Sequence, residues 1–305
     1  VSAALTSHPG NPLPEFRGRL TQGAALGPRT WFRTGGAADL LLIPEDAADL
    51  AQAMRALEPG MAVTALGACS NVIVRDAGIA GAVVRLARGF SDIARDGDGI
   101  VAGAAALDMT VAEHAAEMGL AGLEFMAGIP GTIGGAVRMN AGAYGSDIAA
   151  VLDWVEIVTR DGTQARIAGA DLDFGYRHSG LPPDAVVTRA RLRATPADPA
   201  AVKARIADVR AAREAAQPVR ARTGGSTFRN PEGHAAWKLI DEAGCRGLLR
   251  DGAQVSEKHC NFLINTGTAT STALEELGEI VRARVLSASG IDLHWEIRRI
   301  GRTHA

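Results

Sequence analysis

The sequence predicts an α+β protein of two or three lobes, and three observations predict it. Apolar runs short enough for strands alternate with amphipathic helix patterns along the chain. Asp161-Gly162 joins two such runs as a hairpin turn, so strands come as hairpins as well as crossovers. A purely parallel doubly wound sheet is therefore not expected. The 305 residues also exceed one ordinary domain at about 150 residues each.

Each element has its own signal. Asp39–Ile43 (DLLLI) is a short apolar run that predicts a buried strand. Asp46 is placed to cap a helix running to about Leu57, with Leu50, Met54 and Leu57 on one face. Strands follow at Met61–Leu66, Val72–Val74 and Ala82–Leu86. A second segment opens with the strand Ile100–Ala104, then a helix Met109–Gly119 with Asp108 as N-cap and Gly119 as stop signal. Leu152–Thr159 and Thr163–Ile167 are the strands of the hairpin, and Ala185–Arg193 alternates like a half-buried strand. After Pro196 and Pro199 comes a helix over about Ala200–Ala216, striped by Val202, Ile206 and Val209. The last segment carries a glycine turn near Ser226, a helix Trp237–Ala243, a strand Phe262–Asn265, a helix Thr272–Ser287 and a strand Leu293–Ile300. The expected units are a loose lead-in over 1–28, lobes over 29–87 and 88–216, and a C-terminal domain over 217–305.

Composition excludes several classes. With 32 Lys+Arg against 34 Asp+Glu, the chain lacks the basic footprint of a nucleic-acid or membrane-surface binder. No apolar run approaches about 18 residues, and the opening VSAALTSHPGNPLPEF does not read as a signal peptide. Cys69, Cys245 and Cys260 form no CxxC pair and are expected as reduced thiols in the cytoplasm. The histidines show no paired spacing, so no metal site is expected. Glycine is the unusual number: 36 of 305, well above about 7%.

The glycines concentrate in loops. GIPGTIGGAVRMNAGAYG, Gly128–Gly145, has glycines at 128, 131, 134 and 135 that suit either a backbone nest for a diphosphate or the packing of two lobes. It fits neither GxGxxG nor GxxxxGK[ST]. Gly67-Ala68-Cys69-Ser70-Asn71 follows a predicted strand, and Thr34-Gly35-Gly36 follows Trp31 and Phe32. Three such loops from two segments suit an extended dinucleotide held between lobes. Arg177 alone reads as a surface pair former, Ser226 as a turn residue and Glu296 as the solvent face of a strand.

Taken together, the stretches resemble the UDP-N-acetylenolpyruvoylglucosamine reductase family. The resemblance runs through TWFRTGGAADLLLIPED, LGACSNVIVRDAGIAGAVVRL and GLEFMAGIPGTIGGAVRMNAGAYG, then FGYRHSGL, GGSTFRNPEG, GLLRDGAQVSEKHCNFLIN and LHWEIRRIG, about residues 29–301. No tyrosine-bearing insertion stands between Arg177 and the third segment, which matches the family's shorter branch. One departure stands in the second loop, where Gly67-Ala68-Cys69 replaces a glycine-rich triplet. Ala and Cys tolerate positive φ poorly, so either these positions are not left-handed or the loop differs in shape.

The resemblance implies a two-lobed FAD cradle of the vanillyl-alcohol-oxidase-like kind followed by a substrate domain. It implies non-covalent FAD held by Thr34, Gly35, Gly67, Ser70, Asn71, Gly128, Ile129, Pro130, Gly131, Thr132, Gly134 and Gly135, with Gly131 and Gly134 nearest the pyrophosphate. NADPH is the implied hydride donor, and the implied substrate is the enolpyruvyl ether of a UDP-sugar, reduced to UDP-N-acetylmuramate for bacterial peptidoglycan. The family's catalytic role falls on Arg177, Ser226 and Glu296. Asn140, Tyr144, Asn230, Arg246, Lys258 and His259 are the implied substrate-side residues, with Arg246 assigned to the diphosphate. The competing expectations are a different FAD oxidase on the same cradle and a nucleotide-binding sensor without turnover.

Overall fold

The computed structural model describes Leu13 and Glu15–Thr303. The opening stretch without a signal-peptide pattern lies almost wholly outside the described residues. Among the described residues no helix is long and apolar enough to cross a membrane, and no His/Cys/Asp/Glu group is arranged to hold a metal.

Three sheets organise the chain. The first orders its strands Arg19–Ala25, Ala37–Ile43, Ile79–Val84, Val63–Ala65. Ala37–Ile43 and Val63–Ala65 both run parallel to Ile79–Val84 between them, and helix α1 (Ala47–Ala56) carries the crossover from the one to the other. Asp46 caps α1 as expected, its carboxylate accepting from the Asp49 N–H at 2.8 Å. Leu50, Met54 and Leu57 are buried against Leu42, Ala82 and Val84. The expected lead-in is too long: Arg19–Ala25 is a strand in antiparallel register with Ala37–Ile43. Most of its residues are exposed, so this edge strand has no apolar alternation to betray it.

The second sheet is antiparallel, ordered Gln164–Ala168, Leu152–Val158, Val186–Arg193, Gly99–Gly103, Ile93–Asp96. Gly162 turns the hairpin with φ 77°, which an L-residue adopts only with strain. Helices α2 (Asp108–Glu117), α3 (Ile133–Met139), α4 (Ile148–Val151) and α5 (Pro199–Ala216) belong to this unit, and its core joins Ile100, Val111, Ile133, Val155 and Ile206.

Asp108 does not cap α2. The N-cap is Leu107, Asp108 is the first helical residue, and its carboxylate is fully buried without a hydrogen-bond partner in the protein. Burial alone pushes this carboxyl well above the usual carboxylate range. The native state then keeps a proton that the unfolded chain releases. Native stability accordingly falls as pH rises from a carboxylate's ordinary value toward the raised one. Asp108→Asn keeps the shape without the charge. Its thermal midpoint should match the parent near pH ~4 and exceed it near pH ~7, where the parent bears the cost of the raised carboxyl. An equal difference at both pH values would show that Asp108 does not titrate in this window.

The third sheet orders Thr223–Ser226, Phe262–Asn265, Ala253–Val255, Leu249–Arg250, all antiparallel, beside α6 (Ala236–Glu242) and α7 (Ser271–Ser289). Its core includes Phe32 and Ile73 from the first segment. The expected glycine turn at Ser226 is a bulged strand. Between the pairs Thr223↔Ile264 and Ser226↔Phe262 it has one residue more than its partner, with Gly225 left-handed at φ 79°. The last strand is shorter than Leu293–Ile300: Arg298–Ile300 forms a ladder, in parallel with Val72–Val74 of the first segment, and upstream of it Trp295 makes a single antiparallel bridge to Phe228. The C-terminus thus closes against the first unit, and the extended Leu293–Ile297 is left to carry Glu296.

Candidate active site

A cleft of about 680 Å³ opens between the first two sheets. Its walls come from Val63–Ala68 and Val84–Leu86 on one side, and from Ala104, Thr132, Gly134, Gly135 and Ala185–Val187 on the other. The volume lies in the range of nucleotide-sized pockets. Arg29, Arg33, Arg85 and Arg138 line it with Asp184 as the single acid, so its wall is cationic. The Thr132 hydroxyl is buried in the wall without a partner in the protein. An anionic dinucleotide fits these features: cations for its phosphates, an unused hydroxyl, and bare backbone along one side.

The glycine-dense run is not a nest of left-handed turns. Gly134 and Gly135 lie within α3, and none of Gly128, Gly131, Gly134 and Gly135 has positive φ. They are bare for space. A Cβ on Gly128 would strike the Tyr144 ring at 2.3 Å, one on Gly131 the Asp108 carboxylate at 2.6 Å, and one on Gly134 would crowd Ala104 at 3.1 Å. Gly135 alone faces room, with the Thr132 hydroxyl at 3.9 Å as the nearest atom a Cβ would meet.

Of the residues implied for the cofactor, Gly67, Thr132, Gly134 and Gly135 line the cleft. Gly128, Ile129, Pro130 and Gly131 stand outside the lining, on the approach to α3. Thr34 and Gly35 are also set apart: the Thr34 hydroxyl lies 3.4 Å from that of Ser271, and a Cβ on Gly35 would meet the Val74 carbonyl at 2.7 Å. This turn brings Arg29, Thr30, Trp31 and Arg33 to the cleft instead. In the second loop Cys69 is left-handed at φ 56° and Ala68 is not, so a non-glycine residue does occupy one strained position. Burial pushes the Cys69 thiol up, consistent with an inert packing role.

Ser70 and Asn71 lead from this loop toward a second cluster. The Asn71 amide donates to the Glu296 carbonyl at 3.3 Å, and its own carbonyl accepts from the Arg298 N–H at 3.0 Å. The Glu296 N–H donates to the Thr227 carbonyl at 2.8 Å, which fixes Glu296 beside Ser226–Thr227. The Phe228 and Trp295 rings stack in a tilted pair at 5.1 Å and brace the two strands. From the second unit, Arg177 Nε donates to Glu296 Oε1 at 2.7 Å. Both side chains are largely shielded, at 22% and 9% exposure. Arg177 of the second unit therefore meets Glu296 of the third, and the backbone contact of Glu296 with Thr227 sets Ser226, next in the chain, close to that meeting point. Tyr176 adds its hydroxyl to Glu296 at 3.3 Å. Burial and the Glu296 charge hold this phenol above its usual range, so it stays a donor. The guanidinium groups of Arg177 and Arg229 approach the Tyr176 ring at 5.3 and 5.9 Å.

The substrate-side expectations divide. Tyr144 is half exposed over Gly128, beside Arg213, a guanidinium that burial draws below its usual range but leaves charged. Lys258 reaches from the third unit to the Glu214 carbonyl near the end of α5. Asn230 accepts from the Ala236 N–H and so begins α6. The Arg246 fork is occupied by Asp241 at 2.8 and 2.6 Å, and a phosphate there must compete with that carboxylate. His259 packs between Trp237 and Phe262, and burial keeps it neutral. Asn140 is buried and its amide is consumed internally, donating to the Gly175 carbonyl at 3.1 Å and accepting from the Ala149 N–H at 2.9 Å, so it is not presented to a ligand. Sequence reasoning missed Arg29, Arg33, Arg85, Arg138, Tyr176 and Arg229. Tyr176 adjoins Arg177 and Arg138 stands inside the glycine-rich run, but nothing in residue type marks either.

Comparison with known proteins agrees with this geometry. Residues 38–168 match an FAD binding domain family, and residues 217–300 match the C-terminal domain of UDP-N-acetylenolpyruvoylglucosamine reductase. The UDP-N-acetylenolpyruvoylglucosamine reductase of Gluconobacter oxydans is 66% identical, covering 95% of each chain. That of Acidiphilium cryptum is 64% identical over 95% of this chain and 94% of its own. The crystal structure of UDP-N-acetylenolpyruvylglucosamine reductase from Thermus caldophilus superposes with a TM-score of 0.80 at 35% identity, covering 93% of this chain and 98% of that one. A cationic cleft that fits an anionic dinucleotide, the Arg177–Glu296 pair joining the second unit to the third and relatives of this likeness lead to one conclusion: the chain belongs to the UDP-N-acetylenolpyruvoylglucosamine reductase family of FAD-binding oxidoreductases.

Proposed function

We propose that the protein reduces the enolpyruvyl ether of UDP-N-acetylglucosamine enolpyruvate to UDP-N-acetylmuramate, with NADPH as hydride donor, in the bacterial cytoplasm. The observation that carries this reading is the Arg177–Glu296 pair at 2.7 Å, seated beside Ser226. Bound FAD supplies the two-electron relay between NADPH and the enol ether. Arg177 holds the substrate carboxylate and the charge that builds on it, a task for a fixed cation with a planar fork. Glu296 engages Arg177 Nε and aims the terminal nitrogens. Ser226 delivers the proton to the carbon beside the carboxylate, as general acid. Tyr144, Asn230, Arg246 and Lys258 are assigned to the UDP portion.

The test is anaerobic. NADPH should bleach the flavin band near about 450 nm, a band the protein only tunes. The enolpyruvyl UDP-sugar should then restore it much faster than oxygen does. Restoration by oxygen alone would favour a different oxidase, and no bleaching at all a sensor.

The cofactor half of the reading rests on the bare face of α3. Gly135→Leu should fold at least as stably as the parent, since a helix-interior glycine costs roughly 0.5–1 kcal/mol against alanine. Its side chain enters the cleft, so the purified protein should carry little FAD. Gly134→Val cannot separate these effects, because it also collides with Ala104. A folded Gly135→Leu with full flavin content would move the cofactor elsewhere.

A further inference from the structure

Arg177 stands at an improbable backbone position. Gly175 and His178 exchange backbone hydrogen bonds at 3.1 and 3.2 Å, closing a turn with Tyr176 and Arg177 at its centre. Arg177 has φ 56°, a place that such turns reserve for glycine or asparagine. A long L-side chain persists there only when its surroundings over-determine it.

Those surroundings are the C-terminal end of α3. Asn140, itself left-handed at φ 41°, donates its side-chain amide to the Gly175 carbonyl at 3.1 Å on one flank of the turn. Ser179, also buried, donates its hydroxyl to the Arg138 carbonyl at 3.0 Å on the other flank. The Arg138 guanidinium then ties down the same loop further on, donating to the carbonyls of Leu181 at 3.1 Å, Pro182 at 2.9 Å and Ala185. Both flanks of the Arg177 turn are thus fastened to the helix whose opposite end lines the cleft.

We propose that Asn140 and Ser179 are positioning residues that hold Arg177 in its left-handed turn and so fix its guanidinium against Glu296. The proposal rests on the reading of Arg177 as the group that meets the substrate carboxylate. It reassigns Asn140 from ligand contact to clamp, and it makes α3 the common mount of the cofactor cleft and the catalytic arginine.

A double-mutant cycle tests it on the FAD-loaded enzyme, prereduced by NADPH and mixed with the enolpyruvyl UDP-sugar in stopped flow. Asn140→Gly keeps the left-handed backbone and deletes the amide. It should slow reoxidation by about 10- to 100-fold, the scale of a misplaced catalytic group, with flavin content and NADPH reduction retained. In an Arg177→Ala background the same change should alter reoxidation by less than about twofold, because a residue that acts through Arg177 has nothing left to act on. Equal slowing in both backgrounds, or an unchanged rate in the parent, would overturn the clamp. If Arg177→Ala itself reoxidised at the parental rate, the catalytic reading would fall, and the clamp with it. Should Asn140→Gly not fold, Ser179→Ala enters the same cycle with the same expected and excluding results.

Discussion

Ser226→Ala bleaches with NADPH at a near-normal rate and then stalls in front of the enolpyruvyl substrate. That outcome is expected because Ser226 serves the second half-reaction alone. Taking hydride from NADPH needs no proton from the protein at the substrate's carbon, whereas completing the reduction does. Losing a general acid costs about 100-fold or more, and the loss should appear wholly in reoxidation. The fold should tolerate the change. Ser226 pairs with Phe262 through its backbone in the bulged strand, and that ladder survives the substitution. Stability should shift by no more than about 0.5 kcal/mol. Ser226→Cys retains an acidic proton on a larger atom and should keep part of the activity. Stopped-flow traces of each half-reaction decide the matter. Equal loss in both would make Ser226 structural, and loss in neither would pass the proton to water or Glu296.

The bulge that presents Ser226 marks the limit of what the sequence discloses. Gly224-Gly225 announced an irregular backbone, but a glycine pair signals a turn as readily as a bulge, and only the register against Phe262–Asn265 separates them. Long, locally determined elements were legible. Asp46 caps α1, and Asp161-Gly162 turns its hairpin, because their chemistry is contained within a few residues. Elements fixed by distant partners were not. Arg19–Ala25 is a strand only because Ala37–Ile43 lies beside it, and Arg298–Ile300 pairs across the whole chain with Val72–Val74. The site follows the same division. Resemblance supplied Arg177, Ser226 and Glu296, yet 119 residues separate Arg177 from the carboxylate it meets, and no local pattern encodes that meeting. Asn140 and Asp108 show the converse. An amide that is spent internally and a carboxylate buried without a partner look in sequence like a ligand contact and a helix cap.

Arg177→Lys should be the second large effect, because the structure leaves lysine no equivalent geometry. Arg177 Nε is committed to Glu296 at 2.7 Å, and a guanidinium has two further nitrogens in the same plane. One guanidinium can therefore engage the positioning carboxylate and a substrate carboxylate at once, in a single plane. A lysine ammonium is one point charge on a flexible stem. If it stays with Glu296 it abandons the substrate, and if it follows the substrate it leaves Glu296 shielded at 9% exposure without its cation. Either way the charge building on the substrate carboxylate loses a preorganised donor, which costs about 100-fold or more in turnover. The left-handed backbone at this position is no kinder to lysine than to arginine, so the turn itself gains nothing from the exchange. The flavin cleft lies outside the substitution, and NADPH reduction should suffer far less than reoxidation. A variant whose reoxidation by the enolpyruvyl UDP-sugar is unimpaired would remove Arg177 from the chemistry and leave Glu296 with a structural partner only.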